Sequence, residues 1–348
     1  MNKDLLEKQK KYLSERLHGK TVLISGATGL VGSRTVHYLL QLNETENAHI
    51  NVIGLYREEE KKNLVFNDVI GCNNLTFYNY DAEKNLNIDE NVDYVIHCAG
   101  ISGGSKLHLT DPLKVFDIGI IGTKKLLDFA VKHECKGFLY VSTYEIYGDV
   151  SKKEMFDENQ PCNLDTFALR NIYAEVKRLC ESLCCAYSSQ YLLKTYAVRL
   201  TSTFGTGVRY NDPRFFSEFA RCIIEKRDIT LKSSGRTVRS YLDADDAASA
   251  FLYILSDGEN CNSYNLTNMQ NDISICNIAT KMIKISGSSI KINFDIADDG
   301  AKFGFRKEGC TLMDSRKLER LGWKPVYSLD DTLKKLLRTM NEAKNYQY

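Results

Sequence analysis

Short apolar runs alternate with helical patterns through the first two hundred residues of the chain. A charged amphipathic helix is predicted over residues 3–18. Strand patterns follow at residues 21–25, 50–56, 75–80, 94–97, 137–141 and 192–200, and helical patterns occupy residues 33–42, 112–132 and 167–189. Strands that alternate with helices at this rhythm favour a parallel sheet with right-handed crossovers. The pattern therefore predicts an α/β fold with a doubly wound parallel sheet.

The pattern becomes less regular after residue 201. Helices are predicted over residues 213–226 and 244–256, and short strands and helices mix from residue 262 onwards. We therefore expect three parts: an N-terminal helix, the doubly wound domain, and a smaller mixed C-terminal region that folds against the sheet and binds substrate. Their expected bounds are residues 1–18 for the helix, 19–200 with 240–262 for the domain, and 201–239 with 263–348 for the C-terminal region.

Three glycines, Gly26, Gly29 and Gly32, connect the first predicted strand to the helix after it. Without side chains they allow backbone N–H groups to approach a pyrophosphate, whose charge the helix dipole favours. Their spacing is tighter than the usual Gly-x-Gly-x-x-Gly, and a glycine triplet is also compatible with an ordinary turn. The turn, which includes Thr28 and Leu30, is a candidate dinucleotide site.

Composition and charge exclude several classes of function. The 348 residues include 46 basic and 45 acidic side chains, and a net charge of +1 gives no field for nucleic acid or membrane binding. The N-terminus is charged at once and no apolar run is long enough to span a bilayer, so we expect a cytoplasmic location. The eleven cysteines match no zinc spacing. We expect small buried side chains in a reducing compartment and no metal site.

Candidate catalytic chemistry lies on one predicted helix and the strand before it. Tyr173 and Lys177 are one turn apart on one helix face. A phenol has a pKa of about 10, which a nearby ammonium and a positive nicotinamide would lower, so that it acts as a base. Thr143 ends an apolar strand, where ligand crevices form, and could hydrogen-bond the same substrate hydroxyl. Alone, the Tyr/Lys pair is equally typical of an exposed helix.

Taken together, ordered motifs from Lys20 to Pro325 resemble the extended short-chain dehydrogenase/reductase family, which includes nucleotide-sugar epimerases, dehydratases, decarboxylases and reductases. The motifs are the glycine turn, Asp81, residues 97–100, Gly122 with Thr123, residues 142–148, Tyr173 with Lys177, residues 199–205, 239–241, 264–265 and 321–325. The resemblance implies a Rossmann sheet, a nicotinamide cofactor, a nucleotide-sugar substrate, and a homodimer formed through helices 112–132 and 167–189. The sequence is similar to enzymes of bacterial surface-glycan clusters, so we expect a role in surface polysaccharide biosynthesis.

The resemblance also implies a role for each matched residue. Thr143, Tyr173 and Lys177 would be catalytic, with Lys177 also on the nicotinamide ribose, and Glu145 would be a further acid or base. The cofactor would contact Gly26, Thr28, Gly29, Leu30, Gly32, Arg57, Asp81, Ala99 and Lys177. The substrate would contact Ser105, Tyr144, Ser202, Arg214, Arg239 and Arg306. The guanidinium groups of the three arginines suit phosphates. Arg209 is expected to be a solvated loop charge.

The end of the second strand bears on the choice of cofactor. NAD-binding relatives carry an acid there, which hydrogen-bonds the ribose. Here Tyr56 stands at that place, and Arg57, with Lys61 or Lys62 behind it, could neutralise a 2′-phosphate. We therefore favour NADP(H), with NAD(H) as the alternative if Arg57 stacks on adenine or faces water.

Four residues bear on the reaction. Glu145 matches the glutamate of dehydratases and decarboxylases, but Tyr144 replaces the aspartate that dehydratases use as an acid. Ser202 and Gly119 stand where the family usually has asparagine, which favours an altered substrate pose. We predict net reduction of a nucleotide-linked keto sugar, such as a CDP-linked one, with Tyr173 as the acid. The alternatives are an internal-redox 4,6-dehydratase, C4 epimerase or uronate decarboxylase and, more remotely, a non-catalytic nucleotide sensor.

Overall fold

A computed structural model describes residues 1–82, 84–100, 107–148, 154–296 and 309–344. The strands in these residues are β1 (Thr21–Ser25), β2 (Asn51–Tyr56), β3 (Leu75–Asn79), β4 (Tyr94–His97), β5 (Gly137–Thr143), β6 (Glu154–Phe156), β7 (Thr195–Leu200), β8 (Ser202–Phe204), β9 (Ile229–Leu231), β10 (Val238–Asp243), β11 (Asn262–Leu266), β12 (Asn268–Ser274), β13 (Ile292–Phe294) and β14 (Cys310–Met313). The α-helices are α1 (Lys3–Leu17), α2 (Leu30–Glu46), α3 (Glu59–Val65), α4 (Leu107–Thr110), α5 (Pro112–Phe116), α6 (Gly122–Lys132), α7 (Ile172–Tyr191), α8 (Phe215–Ile224), α9 (Ala244–Asp257), α10 (Ile275–Ser286), α11 (Arg316–Glu319) and α12 (Leu329–Ala343). No described helix is both long enough and apolar enough to cross a membrane.

Seven parallel strands form the large sheet, in the order β3-β2-β1-β4-β5-β7-β11. Its central strands are apolar because helices cover both faces, and every residue of β5 is buried. The strand order reverses at β1, whose two neighbours are β2 and β4. A crevice at such a reversal is the usual ligand site of an open α/β sheet. The predicted doubly wound fold is confirmed.

A smaller mixed sheet lies beside the large one. It has the order β12-β10-β14-β6, with β8 also paired to β10. Strand β10 is antiparallel to β12 but parallel to β14 and β8. Strand β10, which was expected in the doubly wound domain, pairs within this smaller sheet, and β11 extends the large sheet past residue 262. The reason is that α9, between them, packs on the large sheet and returns the chain to its edge beside β7.

The predicted helix over residues 167–189 begins later than expected. A tight turn precedes it, in which the Asp165 carboxylate accepts a hydrogen bond from the Phe167 backbone N–H at 3.0 Å. Residues Leu169–Asn171 then form a 3₁₀ turn, and the α-helix begins at Ile172. Tyr173 therefore lies in the first turn of α7, at the rim of the ligand crevice.

The predicted helix over residues 112–132 contains a π-helical turn at Asp117–Ile121. At its centre, a side chain on Gly119 would place its Cβ 2.3 Å from a methyl carbon of Val176 on α7. Glycine therefore lets the two helices approach closely. This packing is a reason for glycine at position 119 that the sequence analysis did not give.

The C-terminal segment returns to the core of the large sheet. Trp323 is fully buried there, and its indole N–H donates to the Ser249 hydroxyl on α9 at 3.0 Å. Helix α1 covers the other end of α9, with the Tyr12 and Tyr253 rings stacked at 5.1 Å. These contacts tie both ends of the described chain to the same core.

Candidate active site

A cavity of about 700 Å³ opens at the carboxyl ends of the central strands, between the two sheets. A cavity of this size suits a small-molecule ligand. The predicted site residues on its wall are Gly26, Gly29, Leu30, Gly32, Thr143, Tyr144, Glu145, Tyr173, Lys177, Ser202, Arg214 and Arg239. The structure also describes the predicted site residues Thr28, Arg57, Asp81 and Ala99, but they do not line the cavity. Ser105 and Arg306 lie outside the described residues.

Close backbone approach shapes the glycine turn. Gly26 has a φ of 67°, and a side chain there would bring its Cβ within 2.6 Å of the Ala99 nitrogen. A side chain on Gly32 would place its Cβ 2.3 Å from the Gly26 carbonyl oxygen. The turn thus leaves bare backbone and the start of α2 at the cavity wall, which fits a pyrophosphate.

Polar side chains behind the turn hold β1 and β4 together. His97 is buried between the Ser25 hydroxyl, 2.6 Å from Nδ1, and the Thr123 hydroxyl, 3.0 Å from Nε2. Burial lowers the pKa of His97 to about 3, so the ring is neutral at pH 7. His97 supports the fold below the cavity. No group of His, Cys, Asp and Glu in the described ranges has the arrangement of a metal site.

Tyr173 and Thr143 lie close together on the cavity wall. Burial, and then the nearby Glu145 carboxylate, raise the pKa of Tyr173 above its usual value. Lys177 donates from Nζ to the Val141 carbonyl oxygen at 2.7 Å and lies over the Tyr140 ring. Burial lowers the pKa of Lys177. In the protein alone Tyr173 is therefore a neutral phenol.

Glu145 and Tyr144 follow Thr143 in a 3₁₀ turn and line the cavity. The turn is capped by the Thr143 hydroxyl, which accepts from the Glu145 backbone N–H at 3.3 Å. Opposite them, the Arg239 guanidinium lies 5.9 Å from the centre of the Tyr144 ring. This places an acid, a phenol and a cation around one space next to Tyr173.

Arg214 reaches the cavity as half of an ion pair. Its guanidinium binds the Asp212 carboxylate through Nε and Nη2, at 3.0 and 2.7 Å, and lies over the Phe216 ring. Burial opposes ionisation of Asp212, but Arg214 outweighs it and lowers the pKa of that carboxyl. Ser202, on β8, lines the same side. Arg214 is thus rigidly held, as a residue that positions a ligand must be.

Further cations lie on the cavity wall. Arg170 and Arg209 were not predicted to be site residues, whereas Lys61 was named with Arg57 as a possible partner for a 2′-phosphate. Arg170 lies in the 3₁₀ turn before α7, one turn ahead of Tyr173. Arg209, expected to be a solvated loop charge, is exposed but lines the cavity. The spacing of Arg170 to Tyr173 could have been noticed in the sequence, whereas Arg209 reaches the wall through tertiary folding.

The chain is similar to several known nucleotide-sugar enzymes. The chain is 27% identical to UDP-glucuronic acid decarboxylase 1 of Xenopus tropicalis over 340 residues, covering 97% of this chain and 76% of the relative. The fold matches DesIV, a dTDP-glucose 4,6-dehydratase from Streptomyces venezuelae solved with NAD, at a TM-score of 0.79 and 20% identity, over 94% of this chain and 98% of that one. It also matches a UDP-glucuronic acid 4-epimerase from Bacillus cereus, solved with UDP-glucuronic acid and NAD. That match has a TM-score of 0.78 and 22% identity, and it covers 92% of this chain and 99% of that one.

The sequence profile of the NAD dependent epimerase/dehydratase family matches residues 22–267, which run from the first strand of the large sheet to just past its last. This span includes the glycine turn, Thr143, Tyr173 and Lys177. The resemblance noted in the sequence is therefore confirmed, and the chain belongs to the NAD dependent epimerase/dehydratase family of nucleotide-sugar enzymes.

Proposed function

We propose that the chain is an internal-redox enzyme of nucleotide-diphosphate sugars, and that decarboxylation of a uronic acid is the activity its site supports best. One observation carries this proposal: Glu145 and Arg170 line the cavity around Tyr173, while Tyr144 occupies the place of the dehydratases' aspartate. A decarboxylase needs a cation for the sugar carboxylate, but no acid for a departing hydroxyl. The similarity to UDP-glucuronic acid decarboxylase 1 of Xenopus tropicalis supports the same choice.

The glycine turn, with Gly26 and Gly32, would hold the cofactor pyrophosphate, and Lys177 would contact the nicotinamide ribose. A bound nicotinamide would accept a hydride from sugar carbon C4 and later return it. Its positive charge is the influence that would favour the Tyr173 phenolate, because the protein's own groups raise the pKa of Tyr173.

Tyr173 takes the proton of the C4 hydroxyl, which Thr143 orients through its own hydroxyl. The resulting C4 ketone lies β to the C6 carboxylate, which Arg170 holds. The bond between C5 and C6 then breaks, CO2 leaves, and its electron pair moves to the C4 oxygen as an enolate. Glu145, protonated from solvent, supplies a proton to C5. Tyr173 finally returns its proton to O4 as C4 is reduced, so the net change is uptake of one proton and loss of CO2.

The test is incubation of the purified chain with NAD and a panel of nucleotide sugars that includes UDP-glucuronic acid, followed by mass spectrometry. We expect a product lighter by CO2 with no net change in absorbance of reduced nicotinamide. Loss of water, or an unchanged mass with inverted C4, would replace decarboxylase by dehydratase or epimerase. Absence of turnover with the whole panel would favour the nucleotide-sensor alternative.

Net reduction of a nucleotide-linked keto sugar is the second candidate, and a basic cluster of Arg57, Lys61 and Arg209 favours it. Burial, and then the charges of Arg209 and Arg57, lower the pKa of Lys61. Arg57 pairs with Glu58 at 3.1 Å, so the cluster retains excess positive charge. A 2′-phosphate of NADP(H) would offset that charge.

The cofactor question has its own test. Lys61→Ala should raise the KM for NADPH by about tenfold and leave the KM for NADH unchanged if the cluster binds a 2′-phosphate. Lys62→Ala is the matched control, because Lys62 lies on the same helix but pairs with Glu59. Consumption of NADPH with a product two hydrogens heavier would establish the reductase. Equal effects of Lys61→Ala on the KM values for NADPH and NADH would leave NAD(H) as the proposed cofactor.

We also propose the homodimer expected from the sequence. Leu113, Ile121 and Leu179 are 73%, 46% and 47% exposed on α5, the π-helical turn and α7, which are the two helical regions that the resemblance implies would pair. Sedimentation of the wild type and of Leu113→Asp tests this, with the variant expected to be a monomer. The cytoplasmic location and the role in surface polysaccharide biosynthesis stay predictions.

A further inference from the structure

Two exposed cysteines meet far from the cavity. Cys185 lies on α7, and Cys261 immediately precedes β11 at the edge of the large sheet. Their Sγ atoms are 2.7 Å apart, with the Cys261 thiol donating to Cys185. Both side chains are exposed, contrary to the small buried cysteines that the composition led us to expect. We propose that Cys185 and Cys261 form a reversible disulfide and are a site of oxidative modification.

The backbone around the pair is already fixed. The Cys261 N–H donates to the Thr195 carbonyl oxygen at 2.9 Å, and the Thr195 hydroxyl donates to the Cys184 carbonyl oxygen on α7 at 2.9 Å. The Asn260 side-chain oxygen accepts from both the Thr195 N–H and the Ser188 hydroxyl, at 2.9 and 3.0 Å. These bonds connect α7, β7 and the residues before β11. Closing the sulfurs to a bond length of about 2.0 Å therefore needs little movement.

The conformation of Cys261 is a second observation. Its φ is 54°, in the left-handed region that favours glycine. The residue is held in this conformation by its bond to Thr195, and the conformation directs its side chain towards α7. A small cavity of about 140 Å³ is lined by both cysteines and gives a small oxidant access to the sulfurs.

The hydrogen bond sets the order of the chemical steps. The Cys261 thiol donates to Cys185, and burial and the neighbouring Cys185 raise the pKa of Cys261 to about 11, so Cys261 keeps its proton at neutral pH. With hydrogen peroxide, the Cys185 sulfur attacks one oxygen, the O–O bond breaks, and a sulfenic acid and one water form. The Cys261 sulfur then attacks the Cys185 sulfur, the S–O bond breaks, and a second water leaves. The two thiols lose two electrons and the peroxide is reduced to two waters.

The neighbouring Cys184 does not compete for this role. It is buried at 3% exposure, and burial raises the pKa of its thiol well above the usual value. Cys72 is exposed but is not paired with another cysteine in the described part of the chain. These two residues supply matched controls.

The experiment treats the purified full-length chain with stoichiometric hydrogen peroxide and maps its peptides by mass spectrometry without reduction. We expect the peptide containing Cys185 to be joined to the one containing Cys261, in wild type and equally in Cys72→Ser and Cys184→Ser. Dithiothreitol should separate them. Cys185→Ser and Cys261→Ser should each abolish the link and leave the remaining cysteine open to alkylation.

Two outcomes would overturn the proposal. One is full alkylation of both cysteines after a peroxide dose that already oxidises Cys72. The other is a link that disappears in Cys184→Ser and persists in Cys185→Ser. Both cysteines lie outside the cavity that Tyr173 lines, so their serine variants should keep wild-type turnover. The readout does not depend on which sugar the enzyme uses.

Discussion

The two sides of the cavity present different kinds of surface. On the side where we propose that the cofactor binds, the wall is backbone, because Gly26 and Gly32 carry no side chains at points where a Cβ would meet other backbone atoms. On the side where we propose that the nucleotide sugar binds, the wall is formed by side chains such as Arg214, Arg239 and Tyr144. A backbone wall tolerates almost no substitution and suits a ligand shared by a whole family. A side-chain wall can change residue by residue, and with it the sugar.

Removing the hydroxyl that lies between the two walls should have the largest effect. Tyr173→Phe should lower kcat by roughly 10²- to 10⁴-fold, because proton transfer at O4 is lost, while both ligands still bind. Single-turnover kinetics and calorimetric titration with each ligand check the two halves of this expectation. Tyr191→Phe on the same helix, half exposed and outside the cavity, is the control. Wild-type turnover in Tyr173→Phe would remove Tyr173 from the mechanism.

A methyl group on the backbone wall should damage cofactor binding alone. In Gly32→Ala the new Cβ would lie 2.3 Å from the Gly26 carbonyl oxygen, so the turn must move. We expect the Kd of the cofactor to rise tenfold or more, at about 1.4 kcal/mol for each factor of ten, with nucleotide-sugar affinity nearly unchanged. Isothermal titration measures both.

Gly137→Ala adds the same methyl at the start of β5, where its nearest neighbours are side-chain atoms at 3.3 and 3.4 Å. This control variant should bind cofactor normally. If the two alanine variants lose cofactor affinity equally, the effect comes from general destabilisation and the backbone wall has no special role.

A change on the side-chain wall should have the opposite selectivity. Arg239→Gln removes the charge that faces Tyr144, and a lost charge-assisted hydrogen bond should raise the KM for the nucleotide sugar about 10- to 100-fold. The Kd of the cofactor should stay within twofold of wild type by the same titration. Arg236→Ala, exposed and outside the cavity, serves as the comparison. An unchanged KM in Arg239→Gln would mean that other residues of the side-chain wall bind the nucleotide sugar.

The smallest effect concerns pH. The Glu145 carboxylate helps to raise the pKa of Tyr173 because it disfavours a second negative charge nearby. Glu145→Gln should therefore lower the pKa of Tyr173, and the pH at which kcat reaches its plateau should move downward. The pH profile of the residual activity measures this shift. Glu175→Gln, outside the cavity on α7, should leave the profile in place, and an upward shift in Glu145→Gln would contradict the assignment.

Both walls were largely predicted from the sequence, the backbone wall from glycine spacing and the side-chain wall, with Arg214, Arg239 and Tyr144, from the family resemblance. Glycine spacing and strand periodicity are local, so β4 was predicted at its observed bounds and the three glycines line the cavity as expected. Arg209 reaches the cavity wall only through tertiary folding, which no local pattern records. The start of α7 was missed because the Asp165 turn overrides the helical pattern of the residues after it. The packing role of Gly119 was not predicted because its partner, Val176, is distant in sequence.

The buried indole of Trp323 gives this protein an internal optical reporter. It is the chain's one tryptophan, it belongs to the C-terminal segment, and it is enclosed by the core of the large sheet. Its emission therefore reports separation of the C-terminal segment from the large sheet, or opening of the core itself. A denaturation curve followed at this single fluorophore reads the docking of one region on the other without any introduced label. Comparison with far-ultraviolet circular dichroism would then tell whether the two regions unfold together.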